Sequence, residues 1–268
     1  MKNKSILRIV IVAIMIVVII ILAICIKKQA TSSEPIVPSD VVVSEQGTEE
    51  VEEVELAQIP IDFDTLQTTQ NSDIYAWISI PKTPVDNPIL QSTKDDDYYL
   101  ERTVDGKEGL PGSIYTQASL NTQDFSDKVT VIYGHNMRDK SFFGSLDEFD
   151  NEEYRNAHST IMIYTPEKVF TYELAFAVTY NNKHILYNYD CNEDMAGYQE
   201  FLDTLKTDTV SPKWITDKFT LTTDDQIIIL STCNNNDAQR YLVGAKLVSV
   251  QDGEYVPSVV ENTEEPEK

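Results

Sequence analysis

The feature that most constrains this chain is an apolar run that ends at a thiol. Residues 227–230 are three isoleucines and a leucine, and Ser231, Thr232 and Cys233 follow them directly. Isoleucine at this density favours a buried strand. We therefore predict a core strand that delivers Cys233 to the rim of a sheet.

A second run has the same form and ends at an imidazole. Residues 129–133 are mainly apolar, and Gly134, His135 and Asn136 follow them. Catalysis by a Cys–His pair needs both groups held by rigid elements and close in space, though not in sequence. Two core strands that end at Cys233 and His135 fit that requirement.

The N-terminus predicts a membrane anchor over residues 1–28. Residues 9–26 are uninterruptedly apolar and have basic residues on both sides, and their length is close to the roughly 20 residues that cross a bilayer as a helix. A signal peptide would have a shorter apolar region and a small-residue cleavage site. Cleavage as a lipoprotein at Cys25 is disfavoured by the bulky Ile24. We expect a single-pass protein with its N-terminus inside and the rest on the extracellular face of the cell membrane.

The charge of the chain argues against two classes of partner. The sequence carries 44 Asp and Glu against 21 Lys and Arg, a formal net charge of −23. Such a surface repels nucleic acid and anionic lipid headgroups. A solubilising surface is the simpler interpretation, and a cationic partner remains compatible with it.

Composition divides the remainder into three zones. Residues 29–57 contain prolines, hydroxyl residues and a run of glutamates, which predicts an extended acidic tether. Residues 58–257 hold both tryptophans and all the histidines, so we expect the folded domain there. Residues 258–268 form a short acidic tail.

The pattern within the domain is mainly β. Residues 75–80, 169–180 and 240–248 are strand candidates rich in β-branched and aromatic residues. Helices are few, and apolar spacing predicts them over residues 194–206 and 142–149. Short strands with helices inserted in their connections suggest a closed or nearly closed β-barrel with peripheral helices.

Several candidate site residues have structural alternatives. Cys191 and Cys233 could form a disulfide, but a domain of this size does not need one, and Cys191 lies in a polar stretch typical of a surface loop. His158 and His184 rival His135, yet neither is predicted to end a core strand. The aspartates at 95–97 and 224–225 lack the alternating spacing of a calcium loop, so we predict solvated turns and no metal site.

Three short motifs in this order resemble those of sortases, the membrane-anchored cysteine transpeptidases of Gram-positive bacteria. The motifs are residues 133–137, residues 230–233 and Arg240. With the N-terminal anchor and the helices around the barrel, the chain looks most like class B. The resemblance covers about residues 60–250. It departs at Ile229, where the family motif usually has threonine, and in the short polar link at 234–239.

The resemblance implies a mechanism and a set of partners. Cys233 would attack the carbonyl carbon of a threonine in the C-terminal sorting motif of an exported protein and form a thioacyl enzyme. His135 would move protons, and Arg240 would stabilise the oxyanion. The acceptor would be an amine on a peptidoglycan precursor. Asn136, Thr232 and Ser231 are candidate supporting residues, and the chemistry requires neither a metal nor an organic cofactor.

Two other classes of function share some of these residues. A surface cysteine protease or amidase would use the same thiol and imidazole with water as acceptor. A non-catalytic, membrane-anchored binding module would keep the strand-end residues for structure alone. The reactivity of the Cys233 thiol and the products formed with an added amine separate these classes.

Overall fold

The computed structural model of the protein describes residues 55–234 and 236–257. The predicted anchor at 1–28, all but the last residues of the tether and the tail at 258–268 lie outside these ranges. Among the helices in the described ranges, none is both long and apolar enough to cross a membrane.

Ten strands form the framework of the described chain. They are β1 Ala57–Ile59, β2 Ile74–Ser79, β3 Asp86–Ser92, β4 Ile114–Gln117, β5 Val129–Tyr133, β6 Thr160–Tyr164, β7 Lys168–Asn181, β8 Val210–Ile215, β9 Ile227–Cys233 and β10 Gln239–Tyr255. The helices lie in the connections. They are α1 Phe63–Thr69, a 3₁₀ helix Phe143–Asp150, α2 Glu152–Ala157, α3 Ile185–Tyr189 and α4 Met195–Thr207.

Eight of the strands close into a barrel. Their order is β10-β9-β5-β4-β3-β2-β6-β7, and antiparallel pairing of β7 with β10 completes the ring. The other two strands are attached outside it, β1 parallel to the end of β10 and β8 antiparallel to β7. The prediction of a mainly β, closed barrel is confirmed.

Strand β9 is buried on both faces, which explains its unbroken apolar sequence. Ile228 and Leu230 pack in one core cluster with side chains from most of the barrel strands. Ile227 and Ile229 face a second cluster. Because alternate residues of a strand point to opposite faces, one strand contributes to two cores.

Helix α4 covers the second cluster, and the sequence predicted it almost to the residue. Asp194 caps its N-terminus by accepting from the Ala196 backbone N–H at 2.9 Å. Its buried residues are Tyr198, Phe201, Leu202 and Leu205, the four that define the apolar stripe in the sequence.

One expectation about this layer was wrong. Cys191 follows α3 in a polar stretch that predicted a surface loop, yet it is buried in the second cluster beside Tyr189. Its thiol is free, as is that of Cys233, so these cysteines form no disulfide. Burial raises the pKa of the Cys191 thiol to about 12, which keeps this thiol protonated and unreactive.

Candidate active site

Parallel pairing of β5 and β9 brings the two reactive strand ends to the same rim of the barrel. The register runs from Val129 opposite Ile227 to Tyr133 opposite Ser231. Beyond the last pair, the Gly134 N–H donates to the Ser231 carbonyl at 3.2 Å. The segments that carry His135 and Cys233 therefore leave the barrel side by side.

Two of the candidate supporting residues connect these segments. The Thr232 hydroxyl donates to the Gly134 carbonyl at 2.7 Å. The Asn136 side-chain amide donates to the Cys233 carbonyl at 2.9 Å. The side chain of Thr232 is buried, so its hydrogen bond is made in a poorly solvated setting. Together these bonds fix the backbone around the thiol relative to the backbone around the imidazole.

Arg240 reaches the same place from the next strand. The antiparallel register of β9 and β10 sets Arg240 directly opposite Cys233. Its guanidinium donates to the carbonyl oxygens of Gln239 at 2.8 Å and Asp237 at 3.3 Å. Both acceptors are uncharged, so neither of these bonds neutralises the arginine.

These three side chains line one pocket of about 330 Å³. Cys233 is exposed, and His135 and Arg240 are half-buried. The pocket brings together every residue for which the sequence predicted a catalytic role. Ser231 and Thr232 also line it.

His135 is held from two directions. Its carbonyl accepts from the Phe143 N–H at 3.2 Å, and its ring Nε2 lies 2.7 Å from the Leu100 carbonyl oxygen. The residue before it must be glycine, because the Phe143 ring packs against this position. A Cβ added to Gly134 would lie 2.6 Å from that ring.

A further histidine lines the pocket, and the sequence did not predict it there. His184 follows the end of β7 and caps α3, and it lines the pocket wall. Its Nε2 lies 2.8 Å from Gln117 Oε1 and 3.2 Å from the Tyr133 hydroxyl. Burial lowers the pKa of His184, so its ring is neutral at neutral pH. The sequence located the end of β7 to within one residue, but no local signal showed that the polar turn after it lies against the pocket.

The remaining histidine lies apart from the pocket. His158 is the C-cap of α2, and its Nδ1 lies 3.0 Å from the Pro81 carbonyl oxygen. It is therefore a suitable control position for the other two.

Two of the aspartates that prompted the question of calcium are bonded to side chains of the protein. Asp96 accepts from the Ser119 hydroxyl and from the Ser119 N–H. Asp225 pairs with Lys246 at 2.6 Å. Over residues 55–234 and 236–257, the structure contains no cluster of three or more side chains arranged to bind a metal ion.

The barrel, its site and its order of motifs agree with a known family. The family model for the sortase domain matches residues 78–248. The chain belongs to the sortase family. Sortase B of Listeria monocytogenes is 33% identical over 156 residues, which are 56% of this chain and 60% of the relative. The chain thus spans about three fifths of the length of that relative.

Solved structures of class B sortases share the fold. Sortase B of Clostridium perfringens superposes with a TM-score of 0.60 at 27% identity, covering 69% of this chain and 99% of that one. A sortase B–substrate complex of Staphylococcus aureus gives 0.59 at 26% identity, with coverages of 70% and 84%. The predicted resemblance to class B is confirmed.

Proposed function

We propose that this sortase is a cysteine transpeptidase whose nucleophile is Cys233. The observation that carries the proposal is the meeting of Cys233, His135 and Arg240 in one pocket, with the thiol exposed. A thiol kept only for packing is normally buried, as Cys191 is. Exposure beside an imidazole and a guanidinium is instead the environment of a reactive cysteine.

The first half-reaction forms a thioacyl enzyme. The Cys233 thiolate attacks the carbonyl carbon of a threonine in the sorting motif, and the oxyanion that develops lies near the Arg240 guanidinium. The C–N bond to the next residue then breaks, and the His135 imidazolium donates a proton to the departing amine. Arg240 retains its charge throughout, because the pKa of its guanidinium is far above neutral.

The second half-reaction transfers the acyl group. An incoming amine attacks the thioester, the neutral His135 imidazole takes its surplus proton, and the Cys233 thiolate leaves. The bonds from Asn136 and Thr232 across the strand ends hold the backbone segments that carry the thiol and the imidazole side by side through both steps. Such fixed geometry is a main source of rate in acyl transfer.

The pocket suits a short peptide in extended form. Its volume of about 330 Å³ lies at the lower end of the range for ligand sites. The stacked rings of Tyr115 and Tyr133, with centroids 5.4 Å apart, give it an apolar wall, and Arg240 supplies a charged donor. S. aureus sortase B is known in complex with a substrate, and we propose that the substrate of the present chain is a peptide that binds in this pocket.

The setting of the reaction follows from the predicted anchor. A helix over residues 9–26 would hold the enzyme in the cell membrane with its catalytic domain on the extracellular face. The tether at 29–57 would let the domain reach exported proteins that carry a C-terminal sorting motif. The natural acceptor would be an amine of a peptidoglycan precursor, and the products would be proteins fixed to the cell wall of a Gram-positive bacterium.

The proposal is tested by product analysis. A panel of peptides with threonine in a candidate sorting motif is incubated with the enzyme, with and without a glycine-based amine, and the products are identified by mass. We expect cleavage after threonine and, with the amine, a ligated peptide. Cleavage that yields only the free acid at every amine concentration would instead identify a hydrolase.

A further inference from the structure

The hydrogen bond between His135 and Leu100 determines which ring nitrogen can move a proton. The Leu100 carbonyl lies 2.7 Å from Nε2, and a carbonyl oxygen can only accept. Nε2 therefore carries a hydrogen whenever this bond is present. Nδ1 is then the nitrogen that exchanges a proton with substrate, and the tautomer of the neutral ring is set by a residue far away in sequence.

The Leu100 carbonyl belongs to the long connection between β3 and β4, which is anchored at the preceding residue. Tyr99 is buried, and its hydroxyl donates to Asp73 at 2.7 Å and accepts from Asn71 at 2.9 Å. The Tyr99 carbonyl accepts from the Ser113 N–H at 3.0 Å. Side chain and backbone of Tyr99 thus tie the segment to the connection between α1 and β2 and to the residue that precedes β4.

Gly112 packs directly against the carbonyl groups of Tyr99 and Leu100. Its φ is +69°, and an added Cβ would lie 2.3 Å from the Leu100 carbonyl oxygen and 2.9 Å from that of Tyr99. Both distances are far shorter than a carbon–oxygen contact allows. Gly112 is therefore required for the Leu100 carbonyl to stay where His135 meets it.

We propose that Gly112 and Tyr99 are positioning residues that hold the Leu100 carbonyl against His135 and so fix the catalytic tautomer of its ring. This inference rests on the proposed function only where it concerns turnover. The arrangement of Leu100 and His135 can be measured without any substrate.

The test compares two glycine substitutions in the same connection. Gly112→Ala puts a methyl group against the Leu100 carbonyl. Gly106→Ala is the matched control, because Gly106 has a φ of +73° and an added Cβ there meets nothing within 4 Å. Both variants carry the same backbone strain, so a difference between them reports the contact with Leu100.

The first measurement is the ¹⁵N NMR spectrum of the imidazoles at a pH where His135 is neutral. The chain has three histidines, and His135→Ala assigns the signal of interest. We expect the Nε2–H tautomer of His135 in the wild type and in Gly106→Ala, and a mixture of tautomers in Gly112→Ala. A wild-type ring in the Nδ1–H form would overturn the proposal whether or not the enzyme turns over.

The second measurement separates kcat from KM with a cleaved peptide. Gly112→Ala should lose roughly 10- to 100-fold in kcat, because misplacement of a catalytic group by about 1 Å has an effect of this size, while KM changes little. Gly106→Ala should match the wild type in both. A Gly112→Ala enzyme that keeps wild-type kcat and tautomer would contradict the proposal.

Tyr99→Phe provides a second route if Gly112→Ala fails to fold. It keeps the buried ring and removes the bonds to Asp73 and Asn71. We expect a smaller fall in kcat and partial loss of the Nε2–H tautomer, and an unchanged tautomer would exclude Tyr99 from the positioning role. If the wild type shows the Nε2–H tautomer but no transpeptidation, the proposed function fails and the positioning of His135 stands.

Discussion

Cys233 and Arg240 are direct cross-strand partners in β9 and β10. Side chains of directly opposed residues lie on the same face of a sheet, and both of these line the pocket. On its other side, Arg240 pairs with Tyr180 of β7, whose ring is buried. Two ladders therefore hold the backbone of Arg240, and its side chain lines the same pocket as the thiol.

The first prediction concerns the charge and shape of that guanidinium. Arg240→Lys keeps the charge but loses the planar fork of donors, so it should lose much of the activity, and Arg240→Ala should lose roughly 10²–10³ in kcat, or about 2.7–4 kcal/mol of transition-state stabilisation. The Tm should hardly change, because the bonds of Arg240 go to neighbouring carbonyls. Measurements of kcat/KM and Tm on both variants test this. Near-normal turnover in Arg240→Ala would remove Arg240 from the mechanism.

The catalytic pair should behave as one unit. Cys233→Ala and His135→Ala should each abolish turnover with the fold intact, and the double variant should be no slower than either one, because groups that act together are not additive. His158→Ala serves as the control, since its ring bonds to the Pro81 carbonyl outside the pocket. Initial rates and circular dichroism of the four proteins decide the matter. Retained activity in His135→Ala would refute the assignment.

His184 should make stability depend on pH. Burial lowers its pKa below the ordinary value of 6.5, so the unfolded chain takes up the proton first as the pH falls. The free energy of unfolding therefore decreases as the pH falls from about 6.5 to the lower pKa of the folded state. The stability that neutral His184 contributes is fully present above pH 6.5. His184→Gln removes the titration and keeps an amide donor for Gln117. Between about pH 8 and about pH 5, the Tm of the wild type should fall further than the Tm of His184→Gln. An equal fall in Tm for the two proteins would contradict this prediction.

The boundary of the domain can be tested by truncation. β1 pairs with the end of β10, and Ile59 in β1 is buried. A chain that begins at Glu55 should be soluble, folded and active. One that begins at Asp62 keeps α1 and its cap but loses β1, and it should be less stable by about 1.5–3 kcal/mol, the value of burying one large aliphatic side chain. Urea unfolding of both chains measures the difference, and equal stabilities would show that β1 is dispensable.

Local sequence patterns predicted much of this fold. The isoleucines of β9 predicted a buried strand correctly, because both faces of that strand are covered. The apolar stripe of α4 predicted a helix correctly, because one face of that helix is covered. The pattern could not reveal that β5 and β9 pair in parallel, since strand order depends on contacts between residues distant in sequence. Because the pairing was unknown, the prediction that His135 and Cys233 lie close together depended on the resemblance to the family.

Misplaced side chains show where local inference ends. Cys191 has polar neighbours, but packing between α3 and α4 buries it. His184 lies in a polar turn, but the turn folds over the pocket and its ring bonds to Gln117 and Tyr133. In both cases the environment is set by elements far away in the chain, and the sequence around the residue does not report it.

In the proposed mechanism Cys233 carries the acyl group, and mass spectrometry can locate that group on the enzyme. The enzyme is mixed with a cleavable sorting peptide, quenched early in acid and digested to locate any adduct. We expect a thioester between Cys233 and the threonine-ending fragment. It should be absent in Cys233→Ala, and added glycine amine should convert it into a ligated product. Turnover by Cys233→Ala, or an adduct on another residue, would contradict it.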